Sequence, residues 1–480
     1  MNILFAIKKD VYSAMEPLGI LYLSSFLKTS GHQVFLSDSS FEKVSQCIKE
    51  KNIGLFAISC MNTDYKYYLN LSQQVKKTFP KILIIWGGPT PTYNPEIINQ
   101  DGIDIICRGE GEIALLKLVD KLDQKQSINK VPNMWIKNKN SEFTNSVYKN
   151  SVGPLVADLD SLPFPDRSLT RSFPQFKYSP IKIVMASRGC PFNCSFCFNH
   201  RYHHLYQGKG KIIRTRTVDN VIAELEDLKR NFNAKFFYFL DDVFPFDRQW
   251  LTDFTKKYTR KINLPFTIVT SVVFIDERFV KFLKKAGCVS IHLAVECGSE
   301  RIRKEVLNKN ITNFQIIKAC NITKKYGLAI SAYNMVGIPT STFADELQTL
   351  DLNLKAGVDA TYVSFCLPFL DTQLGKVAKK MNLISSETEF LSWFERIPIQ
   401  VVDREKIEKF ASLFTFIVIF PFLRSYLPIL LKVPIPKSVL KFLKDVLNGY
   451  SLKRKIIPVR VGWKEFLVTS SFFVLKRFTK

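Results

Sequence analysis

Three cysteines crowd into eight residues at Cys190, Cys194 and Cys197, spaced C-x3-C-x2-C. Thiolates are the soft ligands that iron–sulfur clusters take. At this spacing each can hold one iron of a [4Fe–4S] cube, which leaves the fourth iron without a protein sulfur. A cluster that only carries electrons normally has every iron capped by protein, so the missing fourth cysteine points to a ligand from outside the chain. The competing chemistry is zinc, which wants four ligands, and His200, His203 or His204 could complete such a set. An apolar run over residues 181–186 reads as a strand and places the triad in the loop at its carboxyl end.

This loop resembles that of the radical S-adenosylmethionine superfamily, whose motif is C-x3-C-x-aromatic-C, with Phe196 in the aromatic slot. Arg188-Gly189 before it and Asn199-His200 after it are similar to that group as well. The resemblance implies that S-adenosylmethionine chelates the open iron and is cleaved by one electron to a 5′-deoxyadenosyl radical. It also implies an electron donor such as a flavodoxin or ferredoxin. Asp241-Asp242 resembles the acidic element that receives the methionine amino group; a carboxylate at a strand end can accept hydrogen bonds from an ammonium. Glu296 closes a stretch similar to the family's Glu-Ser-Gly-Ser element, with Cys297 where the family often has serine. Its implied role is a contact to ribose or methionine, and a structural salt bridge is the alternative. Asn334 and Gly337 belong to a segment resembling the Gly-x-Pro element beside the adenine, while Pro368-Phe-Leu-Asp371-Thr372 resembles a later element that lacks its second proline and glycine. Cys366, between apolar neighbours, is expected to be a buried structural cysteine. Arg214 and Arg216 are open between a phosphate or carboxylate partner and a solvated loop.

The elements that must position these groups follow from periodicity. From residue 181 onward, strands over 181–186, 235–240, 266–270, 290–295, 328–336 and 361–366 alternate with helical stretches, among them 277–285, 313–326 and 343–355. Val218, Val221, Ile222, Leu225 and Leu228 form one helical stripe with Thr217 at the N-cap position. Six strands with crossover helices suit a partial (β/α)6 parallel barrel, whose site lies at the carboxyl ends of its strands.

The first 125 residues show the same rhythm, with strands over 3–7, 33–36, 55–60, 82–86 and 103–107 and helices between them. The expected fold is α/β, a doubly wound, Rossmann-like parallel sheet. Its candidate ligand loops are 59–62, 87–90 and 108–112, where Gly87, Gly88 and Gly109 let backbone approach a ligand. Glu16-Pro-Leu18-Gly19, Gly87-Gly88-Pro89 and Gly109-Glu110-Gly-Glu112 resemble the cobalamin-binding domain of one large radical subgroup. That resemblance implies cobalamin contacts at Leu18, Gly19, Ser59, Asn62, Gly87, Gly88, Pro89, Gly109, Glu110 and Glu112. The cobalt-ligating Asp-x-His-x-x-Gly of other cobalamin proteins is absent, and the domain's lone histidine, His32, reads as structural.

Residues 126–180, rich in polar residues and proline, read as a hairpin-bearing linker, 181–390 as the barrel, and 391–480 as a basic, mainly helical extension. That extension holds 17 Lys and Arg against 6 Asp and Glu, and its apolar run at 411–423 is too short to span a bilayer. It suits either a cap on the barrel or a peripheral membrane contact. The net charge of +25 favours anionic partners. Ten cysteines without a disulfide-like spacing, and a start lacking a cleavable leader, point to a reducing cytoplasm.

The expected activity is radical cleavage of S-adenosylmethionine coupled to cobalamin-dependent methylation of an unactivated carbon in a small or lipid-like substrate, with nucleic acid not expected as a partner. Cobalamin-linked cyclisation, oxidation or rearrangement is the alternative. A methylthiotransferase would need a second cysteine triad, for which only Cys47, Cys60 and Cys107 are available, and a redox-sensing iron–sulfur protein would need no barrel.

Overall fold

The computed structural model describes residues 1–8, 15–138, 146–385, 388, 392–394 and 396–459. The chain divides into two compact units, one of residues 1–179 with 201–214, the other of residues 180–200 with 215–461. The last positions of the basic extension, from 460 on, lie outside the described residues.

The first unit is built on β1 (Asn2–Ile7), α1 (Leu18–Thr29), β2 (Gln33–Asp38), α2 (Phe41–Glu50), β3 (Leu55–Ser59), α3 (Tyr65–Thr78), β4 (Leu83–Gly87), the short α4 (Pro89–Tyr93), β5 (Ile105–Cys107) and α5 (Glu112–Asp123). Strands β2-β1-β3-β4-β5 are parallel, so chain order reverses between β1 and β3. Near-continuous apolar strands bury both faces: Ile3, Phe5 and Leu55 pack toward α1 and α5, while Leu4, Phe56 and Trp86 pack toward α2 and α3. The segment 126–180 supplies β6 (Met134–Lys137) and β7 (Val147–Lys149), an antiparallel hairpin hydrogen-bonded to β5. That hairpin completes a seven-stranded sheet, because Met134 and Ile136 find buried apolar places beside Ile105 and Cys107.

The second unit carries β8 (Ile181–Val184), α6 (Val218–Asn231), β9 (Phe236–Phe239), α7 (Arg248–Lys261), β10 (Phe266–Thr270), α8 (Glu277–Ala286), β11 (Cys288–Glu296), α9 (Asn313–Lys325), β12 (Ala329–Val336), α10 (Phe343–Lys355), β13 (Ala360–Phe365) and α11 (Gln373–Lys380). Its six strands are all parallel and adjacent in chain order, which is the curved half of a (β/α) barrel. Side chains capped onto backbone N–H groups start the helices: Thr217, Asp247, Asp276, Thr312 and Thr342 each accept from the third residue beyond. Helix α12 (Arg404–Ile419) holds most of the apolar run at 411–423 and buries it. Ile407, Phe410, Phe414 and Ile417 join the barrel core, so helix α12 caps the barrel, while Phe420 and Phe422 beyond its end stay exposed. No helix among the described residues is long and apolar enough to cross a membrane.

Arg216 is 5% exposed and bridges Glu224 on α6, the Asn220 side chain and the carbonyl of Met185 at the end of β8. It ties the first barrel helix to the strand that launches the cysteine loop. Removing the carboxylate alone, by Glu224→Ala, strands a buried cation. The expected loss is about 3–5 kcal/mol of stability, read as a lower urea midpoint; a midpoint equal to wild type refutes the role.

Candidate functional site

The cysteine loop is held from several sides. Asp241, at the end of β9 and 2% exposed, turns one carboxylate oxygen onto the Ala186 and Ser187 N–H groups and the Ser187 hydroxyl, at 2.6–2.9 Å. Farther along, Ser195 N–H donates to the Leu307 carbonyl (3.0 Å) and its hydroxyl to that of Val306 (2.5 Å), while Asn308 reaches the Asn193 carbonyl (2.8 Å). Leu374 N–H donates to the Ser195 carbonyl (2.9 Å). Phe196 packs into an apolar cluster with Cys297, Ile302, Met335 and Cys366, so it anchors the loop from below. His200, a candidate fourth zinc ligand, is buried with Nδ1 on the Cys197 carbonyl at 2.6 Å.

Held this way, the three cysteines form no disulfide and are half-buried. Cys190 and Cys197 sense each other and Cys194 electrostatically. Burial pushes Cys190 up to about 11 and Cys197 up to about 12, and raises Cys194, so these thiols must give up protons to serve as metal ligands. The Asn199 N–H points at the Cys197 sulfur (3.5 Å), a contact that favours sulfur carrying negative charge.

Around the loop stand Asp242, Glu296 and Lys309. Asp242 is solvent-exposed at its rim, yet desolvation by the surrounding loop raises its pKa against hydrogen bonds from the Asn199 side chain and the Gly189 N–H. Glu296 ends β11 at a register shift, with φ of +68°, a left-handed conformation that costs a non-glycine residue energy and is found where function demands it. It pairs with Lys309 at 3.2 Å, and Lys309 also donates to the Ala294 carbonyl (2.6 Å). The Lys309 charge is felt at both Cys190 and Cys194. Lys309 escaped the sequence reading because it sits in a polar loop of ordinary composition, 13 residues beyond Glu296.

Other expected contacts have different occupations. The Asn334 amide is spent inside the fold, on Asn353 (2.8 and 3.2 Å) and Thr361 (2.7 Å). Gly337, at φ +68°, donates its N–H to Glu346 (2.9 Å), and a Cβ there would press on Ile397. Glu346 is fully buried, and burial pushes it up to about 7. Cys366 is a core residue. On the sheet face opposite Phe237, Phe239, Ile291 and Leu293, the rings of Tyr238, His292, Tyr333 and Tyr362 stack in a row at 5.0–5.7 Å. Burial alone lowers His292 to about 3, so this ring is neutral.

In the first unit, the loops after β3, β4 and β5 lie side by side at the carboxyl edge of the sheet, stitched by Thr90 to Asn62 (2.9 Å) and by Gly109 N–H to Thr92 (3.0 Å). Gly19 and Ser59 are exposed and Gly87 is half-buried, whereas Leu18 and Glu112 are buried at helix starts. Gly88 caps α4, ahead of Pro89, at φ +89° and is crowded by the Cys60 backbone. Gly109 admits the hydroxyl of Tyr206, so the close approach expected of a ligand there is made by a side chain of the chain itself. Glu110 is likewise occupied: Arg214 (2.8 and 3.0 Å), the Val156 N–H (3.0 Å) and Tyr202 fill both oxygens. Arg214 therefore has a carboxylate partner, as Arg216 does in the other unit. His32 bridges Asp120 (2.8 Å) and the N-terminus (3.2 Å), a structural role. Cys107 packs on one face of the sheet, Cys47 and Cys60 on the other, so these three form no second triad.

Two family models match the chain: the radical SAM superfamily over residues 184–352 and the B12 binding domain over residues 6–119. The chain belongs to the radical S-adenosylmethionine superfamily and carries an N-terminal B12-binding domain. This radical SAM protein is 28% identical over 391 residues to an uncharacterized methyltransferase of Pyrococcus horikoshii, covering 79% of this chain and 82% of that one. It is 26% identical to the anaerobic magnesium-protoporphyrin IX monomethyl ester cyclase of Rubrivivax gelatinosus, over 73% of this chain and 63% of the cyclase. Among solved structures, the cobalamin-dependent S-adenosylmethionine radical enzyme OxsB shares the fold with a TM-score of 0.69 and 15% identity, over 99% of this chain and 79% of that one. The cofactors of this radical SAM protein are a [4Fe–4S] cluster, S-adenosylmethionine and cobalamin. The donor set fits the cluster by its chemistry: three cysteines outside any disulfide on a pinned loop, with an N–H aimed at the Cys197 sulfur.

Two outcomes test the site. Asp241→Ala removes the acceptor for two loop N–H groups, and the reconstituted variant should hold several-fold less iron while keeping its far-ultraviolet dichroism; full iron content refutes the positioning role. Glu346 binds a proton in the folded chain that the unfolded chain releases from pH 4.5 upward, so stability falls as pH rises from there to about 7. Glu346→Gln should therefore gain thermal midpoint on the wild type as pH rises through that window, and a constant gap refutes the shift.

Proposed function

We propose that this radical SAM protein is a cobalamin-dependent methyltransferase that acts on an unactivated carbon of a small molecule. The carrying observation is a single chain that joins a three-sulfur loop, with no fourth cysteine beside it, to a parallel sheet matched by the B12 binding domain. The name of the Pyrococcus horikoshii relative supports methyl transfer. When bound, the cluster supplies the electron that cleaves S-adenosylmethionine, and cobalamin supplies a methyl group suited to capture by a carbon radical.

The chain's own residues would do the positioning. Lys309 offers a cation for the methionine carboxylate, and Glu296 and Asp242 offer carboxylates for its ammonium. Phe196 holds the loop, and Asp241 holds its start. In the first unit Gly19, Ser59, Asn62 and Gly87 line the open part of the sheet edge and are our cobalamin contacts. Leu18, Gly88, Pro89, Gly109, Glu110 and Glu112 shape that edge from within. An electron donor of the flavodoxin or ferredoxin kind and a reducing cytoplasm suit the low-potential chemistry and ten cysteines that form no disulfide. The similarity to the cyclase favours one second reading, ring formation without methyl transfer.

Anaerobic turnover separates the two. Methylation yields S-adenosylhomocysteine together with 5′-deoxyadenosine, and cyclisation yields 5′-deoxyadenosine alone. Cys194→Ala should abolish 5′-deoxyadenosine formation while hydroxocobalamin still co-elutes in gel filtration. Wild-type protein that emerges colourless after cobalamin loading would falsify the methyltransferase reading.

A further inference from the structure

Beyond the cap formed by α12, the second unit turns apolar side chains outward. Ten of the 23 large apolar side chains exposed among the described residues fall between Phe420 and Tyr450, a stretch of 31 residues. On α14 (Lys437–Ser451), Val439, Phe442, Leu443, Val446 and Tyr450 recur at helical spacing and are all exposed; only Leu440 and Ser451 are buried. The apolar arc of this helix is thus much wider than the strip that the protein covers. The preceding turn and α13 (Leu427–Lys432) add Phe422, Tyr426, Ile429 and Val433, with Phe422 67% and Ile429 61% exposed. Single exposed apolar residues are ordinary, but a run of this density marks an interaction surface.

Charge decides what it meets. Residues 420–455 hold eight Lys and Arg and one acidic residue, Asp445. Lys432 and Lys441 have no ion-pair partner among the described residues. Beside this face a groove of about 560 Å³ is floored by Phe343, Leu347, Leu427 and Leu431 and edged by Lys406, Lys409, Arg424 and Lys432, with Glu405 its lone acid. Arg424 is already paired with Asp351, whereas Lys432 is free to meet an anion. A second copy of the chain would set one cationic face against another, and a nucleic acid would leave the aliphatic side chains without partners. An anionic bilayer satisfies both features: apolar side chains enter the acyl boundary, and the lysines meet the headgroup phosphates.

We propose that α13, α14 and the adjoining basic groove form a peripheral membrane-binding face for anionic phospholipid. It is independent of the methyl-transfer reading. The test is flotation of the full-length, anaerobically reconstituted protein with phosphatidylcholine vesicles, with and without phosphatidylglycerol. Wild type should float with the anionic vesicles and less at high salt. The Phe442→Ser/Val446→Ser variant should lose about tenfold or more in partitioning, and Lys432→Glu/Lys441→Glu should lose the preference for phosphatidylglycerol. Both variants should still form 5′-deoxyadenosine at the wild-type rate, which separates this face from the catalytic reading and shows that they fold. Three results overturn the proposal: no flotation of wild type at low salt, equal flotation of the serine variant, or a wild-type dimer in sedimentation that the serine variant converts to monomer.

Discussion

Everything at the cysteine loop depends on one buried carboxylate. Asp241 ends β9, and its oxygen gathers two backbone N–H groups and a hydroxyl just where the chain leaves β8. A loop carrying three thiols lies outside any helix or strand and has no backbone ladder of its own with which to define a conformation. It borrows definition from neighbours: Asp241 at the start, the carbonyls of Val306 and Leu307 in the middle, and the aromatic anchor of Phe196 beneath. Burial pushes Asp241 up to about 7, so the neighbouring donors that hold it in place work against a desolvation cost. These contacts hold the loop in place from several sides.

The same economy governs charge. Glu296 and Lys309 neutralise each other across 3.2 Å in a pocket where neither is much exposed. Glu110 and Arg214 do so in the first unit, as do Glu224 and Arg216 in the second. Two of these three pairs support structure. The third stands beside the thiols, on a residue whose backbone is held in the left-handed region, and it is the pair that our proposal gives to the methionine end of S-adenosylmethionine.

Much of this was legible in the sequence because strands buried on both faces are written as unbroken apolar runs. Most of the eleven parallel strands announce themselves in that way, the edge strand β2 excepted, and the cysteine spacing names its chemistry outright. What was hidden has physical causes. Helix α7 (Arg248–Lys261) mixes aromatic, threonine and lysine residues, and so lacks the clean stripe of α8. A hairpin within residues 126–180 was legible, but its pairing onto β5 was not, because its few apolar residues give no period that assigns them to a sheet. Asn334, Gly109 and Glu110 occupy positions that suit ligand contacts, and only coordinates show Asn353, Tyr206 and Arg214 arriving from elsewhere in the chain to claim them. Lys309 acts through space on the thiols, a relation that no local pattern encodes.

The hairpin also bears on how the first unit can be handled apart from the rest. The B12-binding match ends at residue 119, within α5 and ahead of β6. A fragment cut at that point would expose β5 as a bare edge, with Ile105, Ile106 and Cys107 offering unpaired backbone groups to any passing strand. Such edges recruit other chains and aggregate. The short outer strand of the hairpin, only three residues long, closes that side of the sheet with little left to template on.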